Sequence, residues 1–133
     1  MVRHPVIDHV TTIVRDLDGA TNALARVFRS SAWTETRIPG IAVGTFALGD
    51  AEIHVVTPRA PGPVADFLES GRRGFHHVAV RFDALDEALA ELRAAGIRTL
   101  GEPVEPLPGI REVFLDPEQT GGLLIQAVER KSR

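Results

Sequence analysis

At 133 residues, with a formal net charge of −3, 44% hydrophobic and 25% charged residues, the chain has the size of one compact domain. It carries no basic surplus for nucleic acid. Cys is absent, which excludes disulfides, thiolate ligands and a Cys nucleophile. No apolar run approaches the roughly 20 residues a membrane-spanning helix needs, and Met1-Val2-Arg3-His4-Pro5 lacks the apolar stretch of a secretory signal. A cytoplasmic protein without nucleic-acid or membrane partners is the expectation.

In chain order, residues 6–14 alternate and are rich in β-branched types, which predicts a strand. Leu17, Ala20, Leu24, Val27 and Phe28 fall at helical spacing and predict a helix over 17–29, with Asp16 or Asp18 as N-cap. Short strands follow at 32–37, Ile41–Leu48 and Glu52–Thr57, the last two joined by a Gly49-Asp50 turn. Residues 58–73 hold Pro58, Pro61 and Pro63 and read as a linker, with one or two helical turns over Val64–Glu69. The pattern then restarts: strand 75–82, helix 84–95, a Gly96 stop and strand 97–100. Pro103, Pro106 and Pro108 predict a stiff loop over Gly101–Gly109, before strands at about 111–116 and 122–128.

The restart is a repeat. With His77 placed on His9, Val78 falls on Val10, Leu85 on Leu17, Asp86 on Asp18 and Leu92 on Leu24. Leu48-Gly49-Asp50-Ala51-Glu52-Ile53-His54 likewise pairs with Thr120-Gly121-Gly122-Leu123-Leu124-Ile125-Gln126. Each copy is β-α-β-β-β, and the copies offer matching nitrogen or oxygen donors: His9 with His77, His54 with Gln126. Strand alternation adds a second argument. The apolar faces carrying Val10, Val78, Ile53 and Ile125 are expected to lie under the helices. His9, His54, His77 and Gln126 then all fall on the opposite, open faces. Three imidazoles and an amide oxygen suit a divalent cation such as Zn, Co, Ni, Mn or Fe, with positions left for water or substrate. Each His taken alone is more often a partly buried structural residue. His4 reads as a solvated tail residue and His76 as a structural residue on the helix face.

These stretches, over about residues 6–129, resemble the vicinal oxygen chelate superfamily, which includes glyoxalase I, extradiol dioxygenases and bleomycin-resistance proteins. Within it they resemble the methylmalonyl-CoA epimerases. The resemblance is carried by Ile7-Asp8-His9-Val10, Gly49-Asp50-Ala51-Glu52-Ile53, Val64-Ala65-Asp66-Phe67-Leu68, Gly74-Phe75-His76-His77-Val78-Ala79 and Thr120-Gly121-Gly122-Leu123-Leu124-Ile125. It implies an α+β fold in which two βαβββ modules, about 6–57 and 74–129 with linker 58–73, form a cupped mixed sheet around a metal site in a single domain. It implies ligands at His9, His54, His77 and Gln126, where the family usually has Gln or Glu at the His54 position and Glu at that of Gln126. It also implies a homodimer acting on a small-molecule substrate such as a CoA thioester.

The departures bear on the reaction. The family supplies its two glutamate bases at the positions of Ile38 and Gln126, and neither residue here can take a proton from carbon. The substitutes are Glu112, in a strand where the family pattern is apolar, His54 acting as base instead of ligand, and a metal-bound hydroxide. Arg37, Arg81 and Arg111 are candidates for holding a carboxylate or phosphate of the substrate. The expected activity is that of a metal-dependent isomerase or lyase that stabilises an enolate or oxyanion. The alternatives are a non-catalytic drug- or metabolite-binding protein and a tailoring cyclase or lyase of secondary metabolism.

Overall fold

Alternating apolar and polar residues build β1 (Val6–Ile13), and Asp16 ends the following turn by accepting a hydrogen bond from Gly19 N at 3.0 Å, which caps α1 (Leu17–Phe28). The computed structural model describes residues 4–131. After α1 come β2 (Thr34–Ile38), β3 (Ile41–Leu48), β4 (Ala51–Pro58) and the short α2 (Pro63–Glu69), which Pro63 opens. The second copy supplies β5 (Gly74–Arg81), α3 (Leu85–Ala94), β6 (Thr99–Leu107), β7 (Ile110–Leu115) and β8 (Ile125–Arg130), with a 3₁₀ turn at Pro117–Gln119. The architecture is α+β, and its sheets mix parallel and antiparallel pairs.

The chain forms two compact units, residues 9–76 and residues 4–8 with 77–131. In the first, the strand order is β2-β3-β4-β1, with β1 parallel to β4. Leu17, Ala42, Phe46 and Val55 form a core under α1, with Val14, Leu24, Phe28, Trp33 and Ile53 packed against it. Gly44 lets α1 approach: a Cβ there would come within 3.0 Å of Thr21 Cγ2 and 3.2 Å of Trp33. A second cluster, Ile13, Val56, Phe67 and Leu68, joins the other face of these strands to α2. This corrects the expectation that the His9 face is open throughout, because alternation puts Ile13 on the face of His9 and α2 covers that end. Residues 64–69, read as one or two turns in a linker, carry the large apolar side chains that do so.

In the second unit the order is β5-β8-β7-β6, again with the outer pair β5 and β8 parallel. Here Leu85, Leu89, Val113, Leu115 and Ala127 form the core under α3. Ala84 gives α3 no side-chain cap. The buried Glu129 of β8 substitutes, its Oε1 accepting from Leu85 N at 2.9 Å. The loop expected at 101–109 is instead the body of β6. Pro103 and Pro106 are tolerated because β6 is the outermost strand of this unit's order and its pairing with β7 shifts register around Val104. The strand expected from 122 begins at Ile125, because Gly121 and Gly122 adopt positive φ in a turn that Thr120 closes onto Leu123 O.

Repeat symmetry extends to register. Val10 pairs with Ile53 in the first unit as Val78 pairs with Ile125 in the second. Within the second unit, Asp8 at the start of β1 is 2% exposed. Asp8 accepts from Arg81 Nη1 at 3.0 Å and from Arg130 Nε and Nη2 at 2.8 and 2.9 Å. Removing the carboxylate would strand two guanidinium groups. Asp8→Ala is expected to lose about 3 kcal/mol of stability, read as a lowered urea midpoint; an unchanged midpoint would contradict the clamp. His76, half-buried on β5, meets the Phe67 ring edge-on at 5.0 Å, and Arg72 lies over the same ring. Burial first, then the Arg72 charge, lowers the His76 pKa. The unfolded chain therefore takes up the proton first as pH falls below 6.5, and stability drops from there toward the lower native value. His76→Gln is expected to flatten that part of the stability-against-pH curve, and identical curves would refute the assignment.

Candidate functional site

In the first unit, two residues apart on β4, Glu52 and His54 share a face, and register sets His9 opposite Glu52 and Thr11 opposite His54. The His9 and His54 rings stack, with centroids 3.8 Å apart and planes 15° from parallel. His54 Nε2 lies 2.9 Å from Glu52 Oε1. His9 is 5% exposed, so this is a largely buried polar cluster on a strand face. Ile38 belongs to the same face, through its pairing with Ile41, which packs on Ile13 and Val56. The position that the resemblance reserves for a carboxylate is thus filled by a branched alkyl group that can bind no proton.

The second unit repeats the arrangement. His77 and Gln126 are both 6% exposed. Gln126 pairs with Ala79 on one side and Phe114 on the other. Phe114 meets the His77 ring edge-on at 5.0 Å, so these three side chains share a face. Glu112, half-buried and two residues before Phe114, lies on it as well, opposite Val128. Ile125 and Ala127 point the other way, into the core under α3. The alternation argument therefore holds within each unit: the donors lie opposite the faces that α1 and α3 cover.

Of the three candidate arginines, Arg81 is on a donor face, through its pairing with Val128. Arg37 pairs with Ala42, which belongs to the core under α1, and its guanidinium is 3.0 Å from Glu35. Arg111 pairs with Glu129, on the α3 side of β7, and bonds Asp86 on that helix at 3.1 Å. Neither Arg37 nor Arg111 is brought to a donor face. Each is one residue away from a side chain that is, Ile38 and Glu112, and a single step along a strand reverses the face. Glu52 is the residue the sequence reading missed. Its position two before His54 on a strand was the available signal.

The donor chemistry fits a divalent cation. Imidazole nitrogen and amide oxygen are ordinary ligands for first-row metals. The structural evidence is Gln126 Oε1, which is buried and has no hydrogen-bond partner among the described residues. A buried acceptor left unsatisfied destabilises a fold by about 1–3 kcal/mol, so its retention points to a ligand that occupies it. Among the described residues no three His, Cys, Asp or Glu side chains are gathered into a cation cage. Gln126→Leu, of similar shape and without the stranded oxygen, is expected to raise the stability of the metal-free protein by about 1 kcal/mol while weakening Zn²⁺ or Co²⁺ binding in a calorimetric titration. A destabilised variant with unchanged binding would contradict this reading.

A family model described as the glyoxalase/bleomycin resistance protein/dioxygenase superfamily matches residues 8–114. Human mitochondrial methylmalonyl-CoA epimerase is 27% identical over 125 residues, which is 90% of this chain and 71% of that protein. The crystal structure of methylmalonyl-CoA epimerase from Mycobacterium tuberculosis superposes with a TM-score of 0.80 at 27% identity, covering 95% of this chain and 88% of that one. The Streptomyces coelicolor methylmalonyl-CoA epimerase in complex with 2-nitronate-propionyl-CoA gives 0.82 at 23% identity, over 96% and 95% of the two chains, a likeness of fold. Repeated βαβββ units, polar donors on equivalent strands and a match over most of the length agree: the chain belongs to the glyoxalase/bleomycin resistance protein/dioxygenase superfamily.

Proposed function

We propose that the protein is a divalent-metal-dependent isomerase that moves a proton at the carbon next to a carbonyl, on a 2-carboxyacyl thioester of the methylmalonyl-CoA type. The observation that carries the reading is the stranded oxygen of Gln126 with the Glu112 carboxylate on the same strand face. Similarity to methylmalonyl-CoA epimerases supports the substrate class. His9, His54, His77 and Gln126 are the proposed ligands. Bound there, the cation supplies Lewis-acid stabilisation of negative charge that develops on a substrate oxygen.

The chain's own residues do the rest. Glu112 is the proposed base. It is a half-buried carboxylate on the strand face of Gln126, and it replaces the proton acceptor lost there: it takes the α-proton from one face of the carbon, and water returns a proton on the other. Gln126 and the imidazoles are neutral donors, so the charge of a bound cation is not offset by a ligand carboxylate. Phe114 flanks His77 edge-on and limits water on that side. His54 is assigned as ligand rather than base, since Glu52 already holds its Nε2. The likeness also carries a homodimer as the working form. No helix among the described residues is long and apolar enough to cross a membrane.

A second reading, a non-catalytic binder, is favoured by one observation: Ile38 on the His54 face, where a base would be needed. Mass spectrometry of methylmalonyl-CoA incubated with the Zn²⁺- or Co²⁺-loaded protein in deuterated water separates the two. Exchange of the α-proton is expected, abolished by a chelator and slowed by about 10²–10⁴-fold in Glu112→Gln. Binding of the thioester without exchange would remove the isomerase and leave the binder.

A further inference from the structure

His54 stands where the repeat pairs it with Gln126, but it has a neighbour its counterpart lacks. Two residues earlier on the same face, Glu52 brings Oε1 to 2.9 Å from His54 Nε2, whereas the residue two before Gln126 is Leu124. Stacking on His9 at 3.8 Å fixes the plane of the His54 ring. It does not fix which edge of the ring leads, because a half-turn about the Cβ–Cγ bond keeps the plane and exchanges the two edges. The hydrogen bond removes that freedom: Nε2–H donates to the carboxylate, and the tautomer that carries its lone pair on Nδ1 is selected.

We propose that Glu52 is a positioning residue, which holds Nε2 of His54 so that Nδ1 is the nitrogen presented to the cation. Stability does not account for the pair, since the Glu52 side chain is 38% exposed and a hydrogen bond there contributes little. A ligating imidazole whose other nitrogen donates to a carboxylate is more basic and better oriented. The carboxylate also returns one negative charge close to a set of four neutral donors without entering it. The inference rests on the reading of His54 as a ligand and adds which atom binds and what aims it.

The test is long-range ¹H–¹⁵N correlation NMR of the full-length protein, with and without Zn²⁺, together with calorimetric Zn²⁺ titration of Glu52→Ala and Glu52→Gln. In the metal-free protein His54 is expected as the Nε2–H tautomer, and Zn²⁺ is expected to shift Nδ1. Glu52→Ala should give mixed tautomers and weaken Zn²⁺ binding roughly 10- to 100-fold. Glu52→Gln, whose amide oxygen still accepts from Nε2, should restore the tautomer and most of the affinity. Zn²⁺ bound through Nε2 of His54, or an unchanged tautomer and affinity in Glu52→Ala, overturns this inference and leaves the metal reading standing. A wild-type protein that binds no Zn²⁺ overturns both.

Discussion

Strand alternation against a covering helix sorts the side chains of this protein. In each unit a helix buries one face of a four-stranded sheet, α1 over Ala42, Phe46 and Val55 and α3 over Val113, Leu115 and Ala127. Once those apolar residues are committed to the helix side, their strand neighbours must face the other way. The neighbours of Ile53 and Val55 include His54; the neighbours of Ile125 and Ala127 include Gln126. Shifting any of these strands by one residue would bury imidazole or amide against leucine, which makes the register, and with it the position of the donors, expensive to change.

The same constraint explains which side chains could be assigned to a strand face from the sequence. The donor in each of β1, β4, β5 and β8 was legible because the apolar partners beside it are unambiguous. Residues in β2 and β7 were harder. Thr34–Ile38 has only one apolar residue to set its phase, so Arg37 and Ile38 could not be assigned to faces until the pairing with β3 was known. Arg111 and Glu112 were undetermined until the pairing with β8 fixed them. The proline-rich 101–109 segment read as loop because proline is a sound signal against a strand in a sheet interior. It fails at the outer strand, where a missing donor faces away from the neighbour, and strand order is not written in local composition. Glu52 was overlooked for a different reason. A glutamate on a strand is common, and its significance lies in the 2.9 Å contact to His54, a matter of side-chain conformation.

Carboxylates stand at different positions here while the frame is shared. By resemblance the superfamily's epimerases keep carboxylates at the positions of Ile38 and Gln126; here both are gone, and Glu52 and Glu112 lie on the donor faces instead. Each is close in its own unit to a proposed ligand: Glu52 in contact with His54, and Glu112 one strand away from Gln126. An imidazole at position 54 and an amide at position 126 leave the donors uncharged, so carboxylates nearby are tolerated without competing for the same role. Asp8, by contrast, is fully engaged by Arg81 and Arg130 and serves the fold.

The central proposal is that His9, His54, His77 and Gln126 are ligands of a divalent cation. X-ray absorption spectroscopy at the cobalt edge of the Co²⁺-loaded protein tests it directly. Directly bound nitrogen and oxygen scatterers with the multiple-scattering signature of imidazole are expected, reduced by the loss of one imidazole in each of His9→Ala, His54→Ala and His77→Ala. A spectrum without imidazole scattering, or one unaffected by those substitutions, would contradict it.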